Sequence, residues 1–302
     1  MEVDTTAPES FHVTFDCTSS LRTLLQTLHS IFDHQGVEFK LEPAEDSQDA
    51  WLKVEAIDSS QVCIVKSKLR CRVVSLIGSP HFTVYADVLN TCLRSVPTHY
   101  SLDLIAMPGE THVNMKLYET ISQSHTVNFK CTTILSSEKE LPSFNDIFYN
   151  YTLEFDAPTL RNCVRSCKDT GAKDIVFTVS MPHQPASHNG AQSTSHMIVS
   201  ICAEGDYISQ ERLFHSIVDT TRTSQSIIIT DHDEDIGNEH GVLEEKYRGR
   251  FSLNFLAFFL KSIEKHHLTA RLEKNKPLVL SYPLGSDDSF IFLILAPKLD
   301  ED

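Results

Sequence analysis

The sequence is first informative through what it lacks. No apolar run approaches the roughly 20 residues that an α-helical membrane span needs. There is no G-x-S-x-G, no P-loop and no G-x-G-x-x-G, so the common local signatures of acyl-transfer, nucleotide and dinucleotide sites are missing. The eight cysteines, at 17, 63, 71, 92, 131, 163, 167 and 202, form no C-x-x-C pair. They fall in strand and helix patterns, and buried reduced thiols in an intracellular setting are the expectation. The first ten residues are polar and acidic and show no secretory pattern. Positive charge is also scarce: 26 Lys and Arg against 41 Asp and Glu give a formal net charge of −15. This argues against a basic coat over the whole surface but not against one local basic face. With 41% hydrophobic and 22% charged residues in 302, the chain reads as globular and long enough for two ordinary domains.

What is present is organised around Tyr151 to Gly171. A strand pattern, Tyr151-Thr152-Leu153-Glu154-Phe155, meets a turn at Asp156-Ala157-Pro158. A helix pattern follows, with Leu160, Cys163, Val164 and Cys167 on one face and Arg161, Arg165 and Lys168 on the other. Phe11 to Asp16 repeats this strand, and an amphipathic helix follows it too. There Leu21, Leu24, Leu25, Leu28, Ile31 and Phe32 point inward and Arg22, Gln26 and His29 outward. Two near-copies predict two similar domains in tandem.

Further strands are predicted at Val37–Leu41, Trp51–Ala56, Gln61–Leu69, Arg72–Leu76, Tyr100–Ala106, Val113–Glu119 and His125–Thr132. A shorter helix over Ala86–Val96 turns Val88, Leu89, Cys92, Leu93 and Val96 inward and Arg94 outward. The polar, Pro-containing stretch Thr132–Asn150 predicts an inter-domain connector. It divides the chain into 1–131, 132–150 and 151–302. The second part adds strands at Ile175–Val179, Met197–Ala203, Tyr207–Ser209, Arg212–Asp219, Ser226–Ile229 and Tyr247–Ser252. A helix over Leu253–Lys265 has Leu253, Leu256, Phe259, Leu260 and Ile263 opposing Asn254, Lys261 and Lys265. Strands Leu268–Glu273, Leu278–Pro283 and Phe290–Leu295 complete it. The predicted class is α+β, two domains each of two strand–helix–strands units.

The residues that could carry chemistry read better as surface. Asp231-His232-Asp233-Glu234-Asp235-Ile236-Gly237 resembles a calcium loop, but Ile236 stands at position 6 and Val242 at position 12, where Gly and a bidentate Glu belong. A solvated acidic loop is expected. His183, His188 and His196 share a polar loop with no carboxylate or Cys beside them, and His266-His267 cannot face one ligand together. No metal site and no cofactor are expected. Catalytic triads are not local in sequence, so an enzyme stays as the alternative of a different class. The basic helix faces stand out: Arg22, Arg94, Arg161, Arg165, Lys168, Lys261 and Lys265 recur in an acidic chain. Either they form one functional surface, or they are the charged outer positions that helices commonly carry.

Three stretches resemble proliferating cell nuclear antigen (PCNA), the family of DNA sliding clamps. Val54-Glu55-Ala56-Ile57-Asp58-Ser59-Ser60-Gln61-Val62 is similar to its A-M-D-S-S-H-V segment, and Leu295-Ala296-Pro297-Lys298-Leu299-Asp300-Glu301-Asp302 to its L-A-P-K-acidic ending. Phe251 to Lys261 resembles its last helix. The resemblance spans about Phe11 to Asp302 and implies a clamp fold without catalysis. Three copies would close head to tail, with edges near Val113–Tyr118 and Arg212–Val218, around sequence-independent double-stranded DNA. Arg22, His29, Arg94, Arg161, Arg165, Lys168, Lys261 and Lys265 would then face the DNA.

The resemblance also implies a partner pocket at the connector, formed by Ile57, Asp58, Gln61, Ile64, Leu141, Pro142, Pro277, Ala296 and Pro297. Its occupants would be DNA polymerase and other proteins carrying Q-x-x-hydrophobic-x-x-aromatic-aromatic motifs. A clamp loader would be a further partner, no membrane is involved, and the location would be the nucleus or a viral replication site. A subunit of the heterotrimeric damage-checkpoint clamp is the runner-up. The chain departs from the family in an added N-terminal tail and in the enlarged segments 181–196 and 231–245. Gln61 replaces a histidine, Leu293 and Ile294 replace tyrosines, and Tyr207 stands where the family's ubiquitin-accepting lysine aligns.

Overall fold

The computed structural model describes residues 11–45, 48–107, 110–120, 126–135, 148–182, 196–206, 208–219, 226–230, 243–263, 267–285 and 288–298. The chain forms two compact units. One comprises Met1–Pro142 with Pro283–Phe292, the other Ser143–Tyr282 with Leu293–Asp302.

In the first unit the strands are β1 (Phe11–Phe15), β2 (Gly36–Pro43), β3 (Asp49–Ile57), β4 (Cys63–Leu76), β5 (His81–Tyr85), β6 (Tyr100–Ala106), β7 (His112–Glu119) and β8 (Thr126–Thr132). They pair antiparallel in the order β5-β2-β3-β4-β1-β6-β7-β8. Alternation explains which face is buried: in β2, Val37, Phe39 and Leu41 are buried while Glu38, Lys40 and Glu42 are not. Two strands predicted at Gln61–Leu69 and Arg72–Leu76 are one continuous β4. Its first part pairs β3 through Arg72, and its end crosses to β1 with Phe11 opposite Leu76. A register shift at His12/Val13 lets β4 serve both neighbours.

Helix α1 (Ser19–Ile31) lays Leu21, Leu24, Leu25, Leu28 and Ile31 against the sheet and packs beside α2 (Ala86–Arg94). In α2 the expected inward Val88 is exposed, and Asn90 is buried instead. The helix starts directly from β5, with Tyr85 as its N-cap, and this fixes its rotation. Gly36 is needed where it stands, because a Cβ there would meet the Ile134 Cδ1 atom at 2.5 Å. Ile134, just past β8, bonds back to the Thr83 carbonyl of β5.

The second unit holds β9 (Tyr151–Asp156), β10 (Asp174–Pro182), β11 (His196–Glu204), β12 (Ser209–Asp219), β13 (Ser226–Thr230), β14 (Leu243–Ser252), β15 (His267–Leu272), β16 (Leu278–Pro283) as far as Tyr282, and the second half of β17 (Phe290–Leu295), from Leu293. The order β14-β10-β11-β12-β13-β9-β15-β16 mirrors the first unit, except that β13 enters between β12 and β9 and runs parallel to β9. β14 is longer than the expected strand at Tyr247–Ser252, taking in Leu243–Glu245 of the supposed acidic loop. Helix α3 (Ala157–Asp169) packs beside α4 (Leu253–Lys261). Asp156 begins α3 as an N-cap, its carboxylate accepting from the Thr159 amide at 3.0 Å and hydroxyl at 2.9 Å. Gly171, at φ +79°, ends it in the left-handed conformation that glycine takes without a Cβ penalty.

Helix α4 stops at Lys261, short of the expected Lys265, because Ser262 and Ile263 leave the helical path. Residues 183–195 and 231–242, including His183, His188 and the calcium-like run, lie outside the described residues, as do His266 and Tyr207. Of the cysteines, 63, 71, 131, 163 and 167 are buried, 92 and 202 are half-buried, and Cys17 is exposed against expectation. Burial pushes the Cys71 thiol up to about 12, so it stays protonated and behaves as a small apolar side chain.

Candidate nucleic-acid interface and partner-docking residues

The four helices carry six Lys and Arg (Arg22, Arg94, Arg161, Arg165, Lys168, Lys261) and two acids (Asp87, Asp169), a net +4. The rest of the chain therefore holds −19 (−15 − 4). Charge is thus segregated by element: helices basic, strands and loops acidic. Within each helix the charge falls on the outer face, since the sheet-facing stripe is apolar.

The cations are not equivalent. Arg94, Arg165, Lys168 and Lys261 are exposed, and no ion pair among the described residues involves them. The Lys168 ammonium lies 5.4 Å from the centre of the Phe258 ring on α4. Arg22 and Arg161 are half-buried and bonded. Arg22 Nη2 donates to the carbonyl oxygens of Leu93, at 2.7 Å, and of Val96. Arg161 Nη1 donates to the Ile263 carbonyl oxygen at 2.8 Å. Partial burial lowers the pKa of Arg22 from the ordinary arginine value, but the group remains charged near neutrality. His29 is half-buried, and its Nδ1 has no hydrogen-bond partner among the described residues. Lys265 lies outside them.

Of the residues expected to dock partners, Ile57 and Ile64 pair across the ends of β3 and β4, and Asp58 and Gln61 lie on the turn between them. Asp58 is 4% exposed and organises that turn: one carboxylate oxygen accepts from the Val62 amide (2.8 Å) and the Cys63 amide, the other from the Ser60 amide (2.8 Å) and hydroxyl. These bonds leave Asp58 as the scaffold of the turn rather than its contact surface. Gln61 is exposed at its tip, in the left-handed region at φ +58°. Ile64 is 5% exposed and belongs to the core. Pro277, Ala296 and Pro297 are half-buried in the second unit, where the Lys298 amide donates to the Arg250 carbonyl (2.8 Å) and its ammonium pairs with Asp174. Leu141 and Pro142 lie outside the described residues.

Both expected edges need correction. β7, which covers Val113–Tyr118, is paired on both sides, by β6 and by β8. The outer strand is β8, which pairs only β7 among the described strands. On the other unit, His215–Val218 of the expected edge pair with β13, and Ser209–Phe214 of β12 pair only with β11 among the described strands. Each such row of backbone groups is a ready template for another strand.

The crystal structure of PCNA from Entamoeba histolytica matches with a TM-score of 0.69 at 14% identity, over 96% of this chain and 99% of that one. The fold is that of PCNA. The PCNA structure from Thermococcus kodakaraensis agrees, with a TM-score of 0.66 at 18% identity over 95% of this chain and 100% of that one. No protein-family model matches the sequence, and no curated protein matches it. The PCNA-like fold therefore shows in the backbone while the residues have largely diverged.

Sequence reasoning missed the helix-end serines. Ser95 Oγ donates to the Cys92 carbonyl (2.7 Å) and Ser262 Oγ to the Phe259 carbonyl (3.0 Å), closing α2 and α4 in the same way. A repeated tetrapeptide, Leu93-Arg94-Ser95-Val96 and Leu260-Lys261-Ser262-Ile263, was the signal that could have found them.

Proposed function

We propose that this chain is a DNA sliding clamp, a non-catalytic processivity factor. Three copies close head to tail, and duplex DNA passes through the ring against the helix layer. The observation that carries this reading is the charge segregation: a net +4 on the helices of a chain with a net charge of −15, on a PCNA-like fold. Lysine and arginine attract phosphates without reading bases, so a linked ring holds the duplex and still slides. Acidic strands and loops oppose DNA binding elsewhere. Closure follows from the two strand edges, with β8 of one copy taking up the β12 edge of the next. That contact is heterologous and closes only with the right rotation.

Polymerases and other proteins with Q-x-x-hydrophobic-x-x-aromatic-aromatic motifs are the proposed partners, with a clamp loader to open the ring. The exposure of Gln61 at the tip of its turn supports this reading. The site of action is the nucleus or a viral replication centre.

Retention on DNA tests the reading. After loading onto nicked circular DNA with a loader and ATP, the protein should co-elute with the circle at high salt and dissociate once the circle is cut. Equal loss from intact and cut DNA would reject a topological link.

A further inference from the structure

The six helix cations fall into two sets, and the repeat reveals which is which. α1 and α3 align with a constant offset: Leu21, Leu24, Leu25 and Leu28 correspond to Leu160, Cys163, Val164 and Cys167 (160 − 21 = 139), all buried. α2 and α4 align likewise: Ala86, Leu89 and Leu93 correspond to Leu253, Leu256 and Leu260 (253 − 86 = 167). By these offsets Arg22 matches Arg161, and Val96 matches Ile263. The bond from Arg22 to the Val96 carbonyl and the bond from Arg161 to the Ile263 carbonyl are therefore one feature, built twice.

The surroundings repeat too. The Val96 amide donates to the Leu93 carbonyl at 3.3 Å, and the Ile263 amide to the Leu260 carbonyl at 3.3 Å. Ser95 and Ser262 donate to matched carbonyls one turn back. Val96 and Ile263 stand two residues past the last residues of α2 and α4, at the negative end of each helix dipole, and their carbonyl oxygens accept from the arginines. A guanidinium suits that place, because its planar fork offers several N–H donors and a fixed charge.

We infer that Arg22 and Arg161 are interhelical caps that hold the second helix of each pair to the first, and that phosphate attraction rests on Arg94, Arg165, Lys168 and Lys261. Three of those four stand on the second unit's helices, so the DNA-facing layer is polarised towards it. A side chain that swung out to a phosphate would leave a helix end uncapped, which opposes a double role for the two arginines. The capping half stands on hydrogen bonds alone. The phosphate half rests on the clamp reading.

The test separates the two halves. Arg22, Arg161, Arg165 and Lys168 are each changed to Gln, which is neutral and too short to reach the caps. Thermal melting is followed without DNA, and affinity for a random-sequence duplex is followed against salt. Arg22→Gln and Arg161→Gln should lower Tm by about 3 °C and leave the slope of log affinity against log salt unchanged. Arg165→Gln should leave Tm unchanged, Lys168→Gln should lower it by less than the cap variants through its lost contact with Phe258, and each should reduce that slope by about 0.9. If Arg161→Gln does not fold, Arg161→Lys keeps the charge and serves instead: Tm should fall, hydrogen exchange should speed up in the last turn of α4, and the slope should hold. Unchanged melting of the Arg22 and Arg161 variants together with a reduced slope would overturn the proposal. Absence of DNA binding by the unmodified protein would reject the clamp reading, while the melting data would still decide the caps.

Discussion

The two units run the same programme, and their differences show which residues the fold requires and which it leaves open. Both keep an arginine at the first helix's second turn and a cation at the end of the second helix: Arg22 with Arg94, Arg161 with Lys261. The shared arginines are the ones bonded to carbonyls. At the next outward positions the units part. Gln26 and His29 on α1 stand where α3 has Arg165 and Lys168. The buried stripe is preserved, but Arg165 and Lys168 are exposed where Gln26 and His29 are half-buried. Of what both units keep, the two carbonyl-bonded arginines serve architecture, while the exposed Arg94 and Lys261 join Arg165 and Lys168, which only the second unit carries, as the candidates for function.

Exchanging these positions is the strongest way to break the comparison. Arg165→Glu with Lys168→Glu should reduce the salt slope of duplex binding by about 1.8, two phosphate contacts at about 0.9 each. Gln26→Glu with His29→Glu should change it far less. The converse, Gln26→Arg with His29→Lys, should raise it by up to about 1.8 and make the units alike. Equal losses from the two Glu pairs would show that the first unit contributes as much as the second. Titrations of labelled duplex at several salt concentrations give the slopes.

The helix starts offer a smaller contrast. Asp156 caps α3 through its side chain, whereas Thr18 at the start of α1 makes no such cap and instead donates its hydroxyl to the Thr98 carbonyl. Asp156→Ala should cost about 1 kcal/mol of stability in urea unfolding. The charge matters as well as the oxygen, because a carboxylate at a helix N-terminus opposes the dipole. Asp156→Asn should therefore lose less than Asp156→Ala and become salt-insensitive relative to the native residue.

Much of this architecture was legible in sequence, because alternation in strands and a 3.6-residue stripe in helices are local signals. Phe11–Phe15, Tyr151–Phe155 and the stripes of α1, α3 and α4 follow from them, whereas in α2 Val88 was misplaced inward. β5 was not legible: His81–Tyr85 is only five residues and runs straight into α2, so turn residues mark no boundary between them. The break between two strands expected near residue 70 was likewise false, since β4 changes partner without interruption. At the candidate site, outward cations were readable and their partners were not. The carbonyls bonded by Arg22 and Arg161 lie 71 and 102 residues away in sequence, beyond any local pattern. Asp58 shows the same limit from the other side. A resemblance placed it among docking residues, while its hydrogen bonds make it the organiser of its own turn.

The claim that joins these observations is that the open edges of β8 and β12 pair between copies to close a ring. Its most direct test is the mass of the purified protein in solution at tens of micromolar, by light scattering on a size-exclusion column. Three copies of 34.1 kDa predict a single species of about 102 kDa, unchanged by the helix-face substitutions. A species of 34.1 kDa, with no larger one as concentration rises, would contradict it.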